Sequence, residues 1–171
     1  MKYRILCLTA LFAALLCLLS PLSLPAGSIP VSLGSLAVYI TSIYLGKRGT
    51  LSVIVFVLLG IIGLPVFSGF RGGLDVVTGL TGGYILGYIP CAWIVGFARD
   101  KWKGKPLLLL LFMGIGTAVL YGFGSLQYAL LGGIPFKTAL WSGVLPFLPG
   151  DAAKMLAALF LSGRVKNIHA L

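Results

Sequence analysis

Two ionisable side chains stand where an apolar sequence has little reason to keep them. Asp151 and Lys154 lie in the string Leu145-Pro146-Phe147-Leu148-Pro149-Gly150-Asp151-Ala152-Ala153-Lys154, inside the last apolar stretch of the chain. At i and i+3 on a helix the two share a face and can pair as ions. Pro146 and Pro149 stop an incoming helix, and a new one can begin near Asp151 with the carboxylate as its N-cap. From Asp151 to Gly163 there are 13 residues, about 20 Å of helix. That is shorter than the roughly 30 Å of bilayer hydrocarbon. The helix start therefore falls inside a bundle, where irregular backbone is tolerated only against protein or a water-filled cavity. A lysine in a first turn opposes the helix dipole. Its presence there is better explained by a ligand that needs a donor, and intramembrane ionisable residues are functional candidates by default.

A second group has weaker chemistry. Gly69-Phe70-Arg71-Gly72-Gly73-Leu74-Asp75 holds one cation and one carboxylate among glycines, and Gly79-Leu80-Thr81-Gly82-Gly83-Tyr84 follows. This is either a solvated loop or one that bends over a cavity and offers backbone N–H groups to a ligand. The residues alone leave both readings open.

Other chemistries are missing. The sequence has no G-x-x-x-x-G-K-[ST] string, so the chain is not its own ATPase, and no H-E-x-x-H string. Cys7, Cys17 and Cys91 all sit in apolar runs without metal spacing, and the single histidine, His169, has no sequence neighbour to work with. With three acidic residues, most proton-relay schemes are also excluded. No metal, cofactor or catalytic residue is expected.

The elements that must position Asp151 and Lys154 follow from composition. Of 171 residues, 59% are hydrophobic and 9% charged, against about a quarter charged in soluble domains. The expected fold is an all-α integral membrane domain of six transmembrane helices spanning 1–171. The helices fall at roughly 4–20, 32–46, 49–64, 78–98, 107–131 and 139–163, the last broken near 146–150. Pro21, Pro25 and Pro30 divide the first two, and Gly63-Leu64-Pro65 ends the third.

Charge orients these spans. Lys2, Arg4, Lys47, Arg48, Arg99, Lys101, Lys103, Lys105, Arg164 and Lys166 fall on alternate connections, and they are ten of the 13 basic residues. The opposite loops hold only Arg71 and Lys137. The positive-inside rule puts the ten in the cytoplasm, with both termini. The net charge of +10 is thus topogenic, and no nucleic acid is expected as a partner. Trp93, Trp102 and Trp141 fall near span ends, as interface anchors do. Residues 1–27 also have the basic start and apolar run of a signal peptide. No small-residue cleavage site stands out, and removal would leave five spans, so the segment is read as a retained helix. On that helix Ala10 and Ala14, flanked by Ala13, form a small-residue ridge suited to close packing, internal or against another protein.

The strings Gly63-Leu64-Pro65-Val66-Phe67, Gly72-Gly73-Leu74, Thr81-Gly82-Gly83-Tyr84 and Gly143-Val144-Leu145-Pro146-Phe147-Leu148-Pro149-Gly150-Asp151 with Lys154 together resemble the BioY family over essentially the whole chain. Those proteins are the biotin-specific S components of energy-coupling factor transporters. The resemblance implies a six-helix S-component bundle with an outer-side ligand pocket, in a prokaryotic plasma membrane. It implies capture of biotin, with ATPase subunits driving transport through a membrane coupling (T) subunit. Asp151 and Lys154 would contact biotin, Arg71, Gly72 and Gly73 would lie in a loop closing over it, and Tyr84 would flank it. Assigning Arg71 to the ligand carboxylate rests on charge. The ridge at Ala10 and Ala14 becomes the coupling-subunit interface. Two departures touch the ligand-facing region: Ser32-Leu33-Gly34 where the family often has Thr-Leu-Gln, and Leu80 where it often has proline. The alternatives are an S component for another vitamin, a solitary facilitator, a small intramembrane lipid transferase using Asp151 and Lys154 as acid and base, or an assembly factor.

Overall fold

The computed structural model describes residues 2–24, 31–102 and 104–164; Pro25, Pro30, Lys103, Lys166 and His169, used above, lie outside them. The chain is nearly all helix. In order it forms α1 (Lys2–Leu19), a small hairpin of β1 (Ser23–Leu24) and β2 (Val31–Ser32), α2 (Gly34–Leu45), α3 (Gly49–Ile61), α4 (Leu74–Thr78), α5 (Gly82–Lys101), α6 (Pro106–Gly132), α7 (Phe136–Val144) and α8 (Leu148–Arg164). The hairpin and α4 are additions to the expected pattern. Both are short, and neither has enough periodic sequence to announce itself.

The runs Gly34–Ile61 and Pro106–Gly132 are long and apolar enough to cross a membrane, and so are Phe136–Val144 and Leu148–Ser162 taken together with the 53° bend between them. Tyr3–Leu19 is a shorter apolar helix. The first of these runs is not one straight rod. A Cβ on Gly49 would lie 2.9 Å from the carbonyl oxygen of Thr41, whereas eight residues of continuous helix would separate the two positions by about 12 Å. The chain therefore reverses at Gly46–Arg48. Gly46 permits this with a φ of 60°, and Asp100 secures the turn by accepting from the Lys47 N–H at 3.0 Å. Arg99 donates to the Ile43 carbonyl beside it.

The helices consequently alternate in direction. One end of the bundle carries this turn, Arg99, Lys101 and the start of α6. The other carries Ser20, the hairpin, the 62–81 connection and the start of α8. A core of Leu16, Val38, Tyr39, Phe56, Cys91 and Met113 fills the space between them. The 62–73 segment is tied down by the Phe67 ring, which lies over Gly60 and edge-on to Phe56 at 5.6 Å. Backbone bonds from Gly69 N to Pro21 O and from Gly73 N to Gly60 O complete the anchorage.

α5 and α6 make the most extensive helix pair, and glycines bring them close. Side chains at Gly83 and Gly87 would meet the α6 backbone at Phe123 and Leu120, and one at Gly116 would meet Cys91. Such contacts are how apolar helices gain packing energy without a hydrophobic drive between them. Gly114, on the same helix, faces open space. Gly83→Val is expected to destabilise the purified protein by about 1–3 kcal/mol through overpacking. Gly114→Ala should be neutral or stabilising by up to about 1 kcal/mol. Thermal unfolding in detergent checks both.

Candidate functional site

The first turn of α8 sets the site. Leu145–Phe147 form the break, and the helix starts at Leu148. This is earlier than the sequence suggests, because Pro149 and Gly150 fit within a first turn, where a proline's missing N–H costs nothing. Asp151 is therefore not an N-cap. Its own N–H donates to the Phe147 carbonyl, and its carboxylate is free to reach across the bundle.

That carboxylate is only 4% exposed and Lys154 only 9%. The two form an ion pair, Nζ to Oδ1, at 2.8 Å. Ser35 on α2 donates to Oδ1 at 2.9 Å, and Tyr121 on α6 donates to Oδ2 at 2.6 Å. The Lys154 ammonium also donates to the Ser32 carbonyl at 2.7 Å and to Ser35 Oγ at 3.1 Å. All three of its hydrogens are thus engaged. A lysine opposing its own helix dipole is compensated here by three protein oxygens.

The pair opens on a cavity of about 560 Å³, within the range of small-ligand pockets. Arg71, Asp75 and Leu80 line it from the 62–81 connection, and Tyr84 and Tyr88 from α5. Tyr84 donates to the Gly143 carbonyl at 3.2 Å, and its ring tilts against Phe147. Gln127 on α6 clamps the connection by donating to the Val77 and Gly79 carbonyls. The cavity thus has an Asp–Lys end, an aromatic wall and a rim carrying an arginine.

Of the residues singled out from sequence, Asp151, Lys154, Arg71 and Tyr84 meet in this cavity. Gly72 and Gly73 do not line it. A side chain at Gly72 would strike the Leu64 carbonyl, and Gly73 has a φ of 110°, so loop geometry accounts for both. Ala10 and Ala14 lie elsewhere, exposed on α1, while Ala13 is buried. Sequence reasoning missed Ser35, Tyr88 and Tyr121, together with the Ser32 carbonyl, and noted Asp75 without assigning it to the site. Only Asp75 carried a signal, as the lone acid of the glycine-rich segment.

A model of the BioY family matches residues 1–170. The chain belongs to the BioY family. It is 36% identical over 177 residues to the biotin transporter BioY of Rhizobium etli, covering 96% of this chain and 94% of the relative. The Thermotoga maritima biotin transporter BioY is 33% identical, covering 93% and 94%. The probable biotin transporter BioY of Pyrococcus horikoshii is 35% identical, covering 98% and 99%. Among solved structures, the S-component for biotin from an ECF-type ABC transporter superposes with a TM-score of 0.82 at 28% identity, covering 95% of this chain and 90% of that one. This family consists of transporter components rather than enzymes, so Asp151 and Lys154 need no turnover role.

The ion pair makes a stability prediction. Removing one partner of a buried pair leaves an uncompensated charge at a cost of about 3–5 kcal/mol, whereas replacing both is far cheaper. Lys154→Met should therefore lower the unfolding temperature more than the double variant Asp151→Asn/Lys154→Met, read by thermal unfolding without ligand.

Proposed function

We propose that this protein is the substrate-binding S component of a biotin uptake transporter. The observation that carries the reading is the buried Asp151–Lys154 pair at the base of a ligand-sized cavity, in a chain whose relatives are biotin transporters. Biotin's ureido ring has two N–H donors and a carbonyl acceptor, and its tail ends in a carboxylate. Asp151 accepts from a ureido N–H. Lys154 donates to the ligand by exchanging one of its present oxygens. The tail extends toward the rim, where Arg71 takes the carboxylate.

The topology belongs to the same proposal. α1, α2, α3, α5, α6 and the bent α7–α8 pair are the six membrane-crossing elements. The arms α2 and α3 have 12 and 13 residues, about 18–20 Å each, so the hairpin and the 62–81 connection fill the remaining depth at the cavity end. The basic turn Lys47–Arg48 and the Arg99–Lys105 connection mark the cytoplasmic end of a plasma-membrane protein. Both termini are then inside, and the cavity opens outside.

A coupling subunit docks on α1, where Ala10 and Ala14 stand exposed between Leu6 and Leu18 and permit close helix approach. ATPase subunits bind through it.

Biotin titration by calorimetry should give tight binding in the isolated chain. Asp151→Asn and Arg71→Ala should each weaken it by at least about tenfold, the effect of losing a charged hydrogen bond. Ala10→Leu/Ala14→Leu should bind biotin normally yet fail to co-purify with the coupling subunit. Absence of biotin binding in the native chain, with another vitamin bound instead, would overturn the assignment of ligand.

A further inference from the structure

Gly34, the first residue of α2, is encircled by hydroxyls. A Cβ there would lie 2.6 Å from the Tyr88 hydroxyl oxygen, 3.0 Å from Ser20 Oγ and 3.1 Å from Ser32 Oγ. No residue larger than glycine fits without moving the tyrosine. Ser20, Ser32 and Tyr88 all line the cavity, and Tyr88 is 8% exposed. The Ser32 carbonyl is also a Lys154 acceptor, so the cluster abuts the Asp–Lys end.

Hydrogen bonding links this cluster. Ser32 Oγ accepts from the Gly34 N–H at 3.2 Å and lies 3.3 Å from the Tyr88 hydroxyl. A serine hydroxyl has one hydrogen and two lone pairs. Either hydroxyl can donate in the Ser32–Tyr88 contact, so when Ser32 donates, the tyrosine's own hydrogen can turn to a ligand. Lys154 has no such spare hydrogen. Tyr88 is therefore a donor that can be offered to a ligand beside the ion pair.

We infer that Tyr88 is a specificity-determining residue that donates to the ureido carbonyl oxygen of the ligand, and that it occupies this place because residue 34 is glycine. The inference rests on the biotin reading above. The hydroxyl of Tyr88 stands in the space a side chain at position 34 would take.

The test compares biotin with 2-iminobiotin, which carries an N–H group where biotin carries the ureido oxygen. Both are titrated into the purified full chain by calorimetry. Tyr88→Phe should weaken biotin about tenfold but change the analogue's affinity less than about twofold. A purely structural role would weaken both ligands equally, and that result, or no loss for biotin, would overturn the inference. Gly34→Ala displaces the hydroxyl instead of deleting it and should give the same ligand pattern. Adding Gly34→Ala to Tyr88→Phe should cost little more, since the atom it strikes is gone. Native chain that binds no biotin would instead defeat the underlying biotin reading. Native binding with a Tyr88-independent preference would defeat only this inference.

Discussion

A carboxylate and an ammonium held 2.8 Å apart inside an apolar bundle constrain everything around them. Two charges taken out of water cost several kcal/mol each unless they are paired and hydrogen-bonded. Here the compensation comes from α2, through Ser35 and the Ser32 carbonyl, and from α6, through Tyr121. The pair thus ties α8 to helices 116 and 30 positions earlier in the chain. The break at Leu145–Phe147 has the same cause. A helix continuing straight from α7 would not aim its first turn into the bundle, and the 53° bend lets it do so.

The closed network also determines what binding must be. Lys154 has no free hydrogen, and Asp151 Oδ1 already accepts two bonds, whereas Oδ2 accepts one, from Tyr121. A ligand donor can add to Oδ2, but a ligand that engages Lys154 exchanges a bond, so affinity depends on how well it replaces what it displaces. Hydroxyls suit this role, because they can turn from acceptor to donor without moving a charge. Ser20, Ser32, Ser35, Tyr84, Tyr88 and Tyr121 bring hydroxyls to the cavity lining.

Charges made the site legible in the sequence, and hydroxyls hid it. Asp151, Lys154 and Arg71 stand out because ionisable groups are expensive in an apolar chain. Ser35 and Tyr121 do not, since serine and tyrosine are ordinary in apolar helices, and only the packing of α2 and α6 against α8 brings them to the carboxylate. Gly72 and Gly73 read in the sequence as ligand-facing backbone, whereas in the structure the close approach of the Leu64 carbonyl to Gly72 and the positive φ of Gly73 account for them. Gly34 looked like a missing polar group, and the structure puts a tyrosine hydroxyl in its place. The proline and glycine punctuation marked the broad division of the chain. The start of α8 was misplaced because Pro149 reads equally well as a helix stop or as part of a first turn. α4 and the β hairpin are held by contacts with the loop and with α5 more than by their own sequence.

The central claim is that the Asp151–Lys154 pair is the ligand contact and not only a structural clasp. A crystal structure of the protein with biotin bound tests this most directly. The account predicts the ureido ring against Asp151 and Tyr88, with Lys154 Nζ moved from the Ser32 carbonyl onto the ligand and the tail pointing to Arg71. Biotin bound elsewhere, with the Lys154–Ser32 and Tyr121–Asp151 bonds intact and the cavity unfilled, would contradict it.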